Sequence, residues 1–171
     1  GGLSVGEGHE VMCEVLDWTT PHMSPDHPRY LMGVGRPVDL VEAVARGVAM
    51  FDCVLQTRHA RSGVVYTSRG RIRLTDRRYR NDFYPIDKDC TCSTCRNFSR
   101  AYLNHLLRVG EVLSATLCSI HNIAWFHQYM GRMRQSIVEG RFEAFRREVH
   151  EIYPPGSAGA AAEQDCQIRR Y

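Results

Sequence analysis

Three cysteines stand within six residues, in the run Cys90-Thr91-Cys92-Ser93-Thr94-Cys95. Thiols spaced so closely strain a disulfide but suit one tetrahedral metal ion, each thiolate lying about 2.3 Å from Zn²⁺. A fourth ligand is then required. Cys118 and His121 are the two candidates at a moderate separation. A closed site of this kind leaves no position for water, so the ion would hold the fold and not do the chemistry. The bland alternative is three reduced thiols in a loop.

Asp52 is the odd residue in Met50-Phe51-Asp52-Cys53-Val54-Leu55. A carboxylate in an apolar run is costly unless it is paired or opens onto a functional site. In parallel β/α folds the strand C-termini build that site. Gly1-Gly2-Leu3 and Met32-Gly33 are expected at the ends of the two preceding strands, where glycines let a flat ligand approach the backbone. Backbone amides, an apolar Met face and a carboxylate together suit a planar heterocycle beside a reactive carbon. The structural alternative makes Asp52 a helix cap or a buried ion-pair partner of Arg58.

The third feature is charge. Arg58, Arg61, Arg69, Arg71, Arg73, Arg77, Arg78 and Arg80 crowd one stretch in which Asp76 is the only acid, and Lys88 is the only lysine of the chain. Guanidinium groups pair with phosphate in a bidentate manner and stack on bases. The stretch reads either as a polyanion footprint or as a solvated, Arg-rich hairpin.

The elements that must position these residues follow from periodicity. Glu7 to Leu16 carries a helical stripe. Thr20 to Pro28 is a Pro-rich loop, Tyr30 to Gly35 a short strand feeding a loop, and Pro37 to Gly47 a helix with an apolar face at Leu40, Val41, Val44 and Ala45. Met50 to Leu55 is a further buried strand, and the alternation argues for parallel β/α units. Val64 to Leu74 reads as a hairpin around Ser68-Arg69-Gly70. Asn97 to Val109, Ile120 to Val138 and Arg141 to Tyr153 read as helices. Three strands are too few for a closed barrel, which suggests part of a larger domain.

Composition bounds the rest. The 171 residues are 43% hydrophobic and 24% charged with a net charge of +3, which excludes disorder for the bulk of the chain. No apolar run approaches the roughly 20 residues of a membrane helix. Gly1-Gly2-Leu3-Ser4 has neither the basic region nor the apolar core of a signal peptide. Seven cysteines without such a leader argue against a disulfide framework.

Taken together, seven stretches resemble the tRNA-guanine transglycosylases of the queuosine pathway, bacterial type, over the C-terminal half of that family. They are Gly1 to Glu7, Arg29 to Gly35, Met50 to Leu55, Thr57 to Arg61, the Cys90/Cys92/Cys95 cluster, Ser99 to Leu103, and His121-Asn122-Ile123. The resemblance runs from Gly1 to about Tyr153. It implies an α/β fold, the C-terminal part of a (β/α)₈ TIM barrel with a zinc-binding subdomain. Residues 1–57 would be the last three β/α units, 58–120 the basic hairpin and zinc subdomain, 121–153 the closing helices, and 154–171 a disordered tail.

The implied reaction exchanges the wobble guanine of tRNAs with a GUN anticodon (those for aspartate, asparagine, histidine and tyrosine) for a 7-deazaguanine base. Asp52 matches the nucleophile that forms a covalent ribosyl intermediate. Gly2 and Leu3 match backbone contacts to the base, Met32 an apolar lid on it, and Gly33 its neighbour. Cys90, Cys92, Cys95 and His121 match the ligands of one structural Zn²⁺. Arg58 and Arg61, with Arg36 as a further candidate, match contacts to the anticodon loop. The family is cytoplasmic and dimerises through the zinc region, where Phe98, Tyr102 and His105 would contribute.

Three departures stand out. Gln56 replaces the usual Pro, Ser4 the commoner Ala, and Val5 is the bacterial choice, which favours 7-aminomethyl-7-deazaguanine as the incoming base. The family's N-terminal half, with its general acid/base aspartate, is expected to be missing, and the isolated chain is expected to be inactive. The alternative is a non-catalytic zinc-containing RNA-binding subunit of a transglycosylase heterodimer. An archaeal relative acting at another tRNA position would carry a further C-terminal RNA-binding domain.

Overall fold

A computed structural model describes Leu3 and residues 8–156. These residues form two units, one of residues up to Asp52 together with those from Glu143 onward, the other from Cys53 to Phe142. The expected first strand, Gly1-Gly2-Leu3, lies outside the described residues except for Leu3, which sits in a turn. The part of the expected tail from residue 157 onward lies outside them as well.

The first unit is built on a parallel βαβ step. Strand β1 (Tyr30–Leu31) pairs with β2 (Met50–Phe51), Tyr30 opposite Met50 and Leu31 opposite Phe51. Helix α2 (Pro37–Ala45) connects them, with Pro37 at the first helical position, where a missing N–H leaves nothing unpaired. Gly47, at φ +86°, turns the chain out of the helix. Helix α1 (His9–Thr19) turns Met12 and Leu16 inward, and these pack with Leu31, Val34, Ala43 and Val48.

Strand β2 is shorter than the apolar run suggested. It ends at Phe51, Asp52 is exposed, and Leu55 opens helix α3 (Leu55–Arg61). A short apolar run cannot by itself separate a strand from a strand–turn–helix step.

In the second unit, β3 (Val64–Thr67) and β4 (Gly70–Arg73) form the expected antiparallel hairpin. The expected helix from Asn97 to Val109 is α5 (Arg100–Val109), and Asn97 instead ends a short helix of its own, α4 (Ser93–Asn97). The chain is extended at Phe98, and the Ser99 hydroxyl then accepts the Tyr102 N–H to start α5. Gly110, left-handed at φ +77°, ends it. Helix α6 (Val112–Val138) begins eight residues before the expected start at Ile120. Its first turns are apolar on several sides, with Val112 and Leu113 exposed, so their periodicity is blurred. The core gathers Val65, Leu74, Ile86, Leu103, Leu117 and Cys118 from the hairpin, the cysteine loop, α5 and α6.

Helix α7 (Phe142–Ile152) has its residues from Glu143 onward in the first unit. No helix among the described residues is long and apolar enough to cross a membrane.

Candidate functional site

At the C-terminal end of β2, the Asp52 carboxylate is exposed to solvent. It is not buried against an arginine, and the cap position of α3 belongs to Val54. The Tyr30 hydroxyl donates to Asp52 Oδ1 at 2.6 Å, and the Gly33 N–H donates to the same oxygen at 3.1 Å. These bonds, Tyr30's first and Gly33's second, hold the carboxyl below its usual range. Gly33 follows β1 in a left-handed turn at φ +74°, a conformation that favours glycine. Met32 beside it is 55% exposed. The parallel register thus sets a carboxylate, a backbone turn and an apolar face at one edge of the two strands.

The cysteine cluster sits in the core of the second unit. Cys90, Cys92, Cys95 and His121 each offer a ligand atom, and all four atoms lie within 4.8 Å of one another. The Cys95 and Cys92 sulfurs stand 3.2 and 3.7 Å from His121 Nδ1. Sulfur and nitrogen bound to one tetrahedral zinc are about 3.5 Å apart, so the spacing fits. The fully buried His121 ring bonds through Nε2 to the Tyr66 carbonyl at 2.7 Å. That acceptor fixes the Nε2 proton and turns Nδ1 toward the sulfurs, the outer support a metal-binding histidine needs.

The four groups share their protons unevenly. The Cys95 thiol donates to Cys90, which, with help from His121, lowers Cys90 against the cost of burial; the same bond, together with burial, raises Cys95. Burial opposes a charged His121, but its bonds to Cys90, Cys92 and the Tyr66 carbonyl outweigh it and raise it to about 9. Cys118 is buried outside the cluster, and burial alone pushes its thiol up to about 12. Of the two candidates for the fourth ligand, the geometry brings only His121 to the cysteines.

Residues 1–155 match the family described as queuine tRNA-ribosyltransferase. This chain belongs to that family. It is 56% identical over 151 residues to the queuine tRNA-ribosyltransferase of Methylobacillus flagellatus, covering 88% of this chain and 41% of the relative. It is 55% identical over 148 residues to that of Caulobacter vibrioides, covering 86% and 40%. With that of Thermoanaerobacter pseudethanolicus it shares 50% over 153 residues, covering 90% and 41%. The chain thus spans about 41% of the length of these curated relatives.

Other residues singled out in this family member are placed as follows. Arg58 and Arg61, both exposed, fall one turn apart on α3. Arg36 is already engaged, its Nε bonding to Asp39 Oδ2 at 2.7 Å, and Asp39 also holds His9 at 2.7 Å. Leu3 is partly buried against the core of the first unit. Gly2 lies outside the described residues. Phe98 and Tyr102 stack with ring centroids 5.4 Å apart, and Tyr102 and His105 are exposed.

Sequence reasoning missed Tyr30 and Asn122. Asn122 is fully buried beside the histidine, donates to the Gln56 and Val64 carbonyls at 2.9 and 3.1 Å, and accepts the Tyr66 N–H at 3.2 Å. The signal was available in part: a polar residue adjoining a metal-ligand candidate on the buried face of a helix must find partners.

Proposed function

We propose that this chain carries the nucleophile and the zinc-stabilised portion of a tRNA-guanine transglycosylase, and that its βαβ step belongs to a (β/α)₈ barrel. In this reading the enzyme exchanges the guanine at the wobble position of tRNAs with a GUN anticodon for 7-aminomethyl-7-deazaguanine. Support comes from family membership and from the names of the relatives. The observation that carries it is the exposed Asp52 carboxylate, held by Tyr30 and Gly33 beside Met32.

Asp52 attacks the ribose anomeric carbon and guanine departs. The incoming base then displaces the carboxylate. One hard displacement becomes two easier ones with the sugar configuration retained. Met32 covers the flat base, and the backbone at Gly2 and Leu3 reads its edge. Arg58 and Arg61 hold phosphates of the anticodon loop from one face of α3. Cys90, Cys92, Cys95 and His121 hold a zinc ion whose role is to fix the fold around them. The intact protein pairs with a second copy through the region of Phe98, Tyr102 and His105.

Asp52→Asn in the intact protein tests the reading. An amide cannot form the ribosyl ester, so the covalent RNA adduct on a denaturing gel should vanish and turnover should fall by roughly 10⁴-fold or more, a deficit typical of losing a nucleophile. An undiminished adduct would move the nucleophile elsewhere.

A further inference from the structure

We propose that Tyr30 is a positioning residue that divides the labour between the two carboxylate oxygens of Asp52: Oδ1 stays in the protein's hydrogen bonds, and Oδ2 makes the bond to ribose. The proposal rests on the reading of Asp52 as nucleophile.

Two donors from one segment converge on a single atom. The Tyr30 hydroxyl and the Gly33 N–H both reach Oδ1, at 2.6 and 3.1 Å. Tyr30 is 47% exposed, so packing alone does not account for an aromatic ring there. Its place in the register, opposite Met50 and two residues short of Asp52 on the neighbouring strand, lets the phenol reach the carboxylate. With Oδ1 pinned at two points, rotation about the Cβ–Cγ bond is arrested and Oδ2 is the oxygen outside this pair of donors.

The consequence is unequal for the two half-reactions. In the first, an Oδ2 lone pair forms the bond to the anomeric carbon. The bond to guanine N9 breaks, its electron pair leaves with the base, and the base takes up a proton from solvent. Oδ1 becomes the carbonyl oxygen of the ester. In the second, the incoming 7-deazaguanine gives its ring N–H proton to solvent and its nitrogen bonds the anomeric carbon. The electron pair of the carbon–Oδ2 bond returns to Asp52. That returning charge delocalises onto Oδ1, where Tyr30 and Gly33 already donate. Tyr30 keeps its proton throughout. A hydrogen bond that stabilises a carboxylate makes it a weaker nucleophile but a better leaving group. Tyr30 therefore assists breakdown of the intermediate more than its formation.

Tyr30→Phe in the intact protein removes the hydroxyl alone. With a labelled anticodon stem-loop bearing guanine at the wobble position, single-turnover adduct formation should stay within about threefold of the unsubstituted protein. Chasing the isolated adduct with 7-aminomethyl-7-deazaguanine should release RNA roughly tenfold more slowly, the effect of one hydrogen bond to a charged group. The adduct should therefore accumulate at steady state. Incorporating 3-fluorotyrosine at position 30, a stronger donor, should quicken the chase. An unchanged chase rate, or formation slowed as much as breakdown, would overturn the proposal. An adduct that persists in Asp52→Asn would instead defeat the underlying assignment of the nucleophile.

Discussion

Asp52 acts through its surroundings more than through its own burial. Its orientation depends on two donors drawn from β1 and the turn after it, and that turn depends on Gly33. At φ +74° a Cβ is disfavoured by roughly 1–2 kcal/mol. Gly33→Ala should lower stability in urea unfolding by about 1 kcal/mol. It should also slow release of the adduct, because relaxing the turn withdraws the N–H from Oδ1. A wild-type unfolding midpoint would show that the turn tolerates a side chain. Residues that stand out by type were legible in the sequence: a carboxylate among apolar neighbours and cysteines too close for disulfides. Tyr30 was not, because a tyrosine in a short strand reads as packing, and its reach to Asp52 exists only once the parallel register is known. Asn122 was hidden for a related reason, since its partners lie 56 to 66 residues away.

At the scale of elements, α2 departs most from its sequence pattern. An apolar face at Leu40, Val41, Val44 and Ala45 suggests that the intervening acids face water. Instead Asp39 and Glu42 are 5% and 3% exposed. Glu42 accepts Arg146 in a fork at 2.6 and 2.8 Å, Arg46 at 2.5 Å and His150 at 2.7 Å, and so ties α7 to α2 within the first unit. Burial would raise its pKa, but the bonds from Arg146, His150 and Arg46 prevail and bring it down to about 2. A folded-state pKa below the unfolded one means that stability is gained above the unfolded value and is lost as pH falls toward the folded one. The contribution should be complete near neutrality and disappear between about pH 5 and pH 2. Glu42→Gln should therefore cost about 2–3 kcal/mol at pH 7, somewhat below the range for a fully buried pair because Arg146 is 32% exposed. Near pH 2 the two proteins should converge. Parallel stability curves across that range, measured by urea unfolding, would show that Glu42 does not carry the dependence. The helix boundaries teach a similar lesson. The break before α5 was encoded by Ser99 as a cap, yet the apolar periodicity ran through it.

For the whole molecule, the two units have separate cores, and only the second contains the cysteine cluster. The alternation of strand and helix made the α/β class readable, and the hairpin was readable from its turn. The grouping was not, because it depends on which buried faces meet. His121 links α6 to the hairpin through the Tyr66 carbonyl, and Cys92 starts α4 by accepting the Cys95 N–H at 3.4 Å. A metal ion at the four ligands would therefore pin the cysteine loop, the hairpin and α6 at one point, and its binding energy would enter as folding energy of that unit. Metal analysis should find about one zinc per chain, a single closed four-ligand site. Chelation, or Cys92→Ala, should raise amide hydrogen exchange across β3, β4, α4 and the middle of α6. Protection in α1 and α2, whose core shares no residue with the cluster, should stay nearly unchanged. A protein that binds no zinc, or one whose exchange on chelation rises equally in α1 and α2, would contradict a metal acting locally as the staple of the second unit.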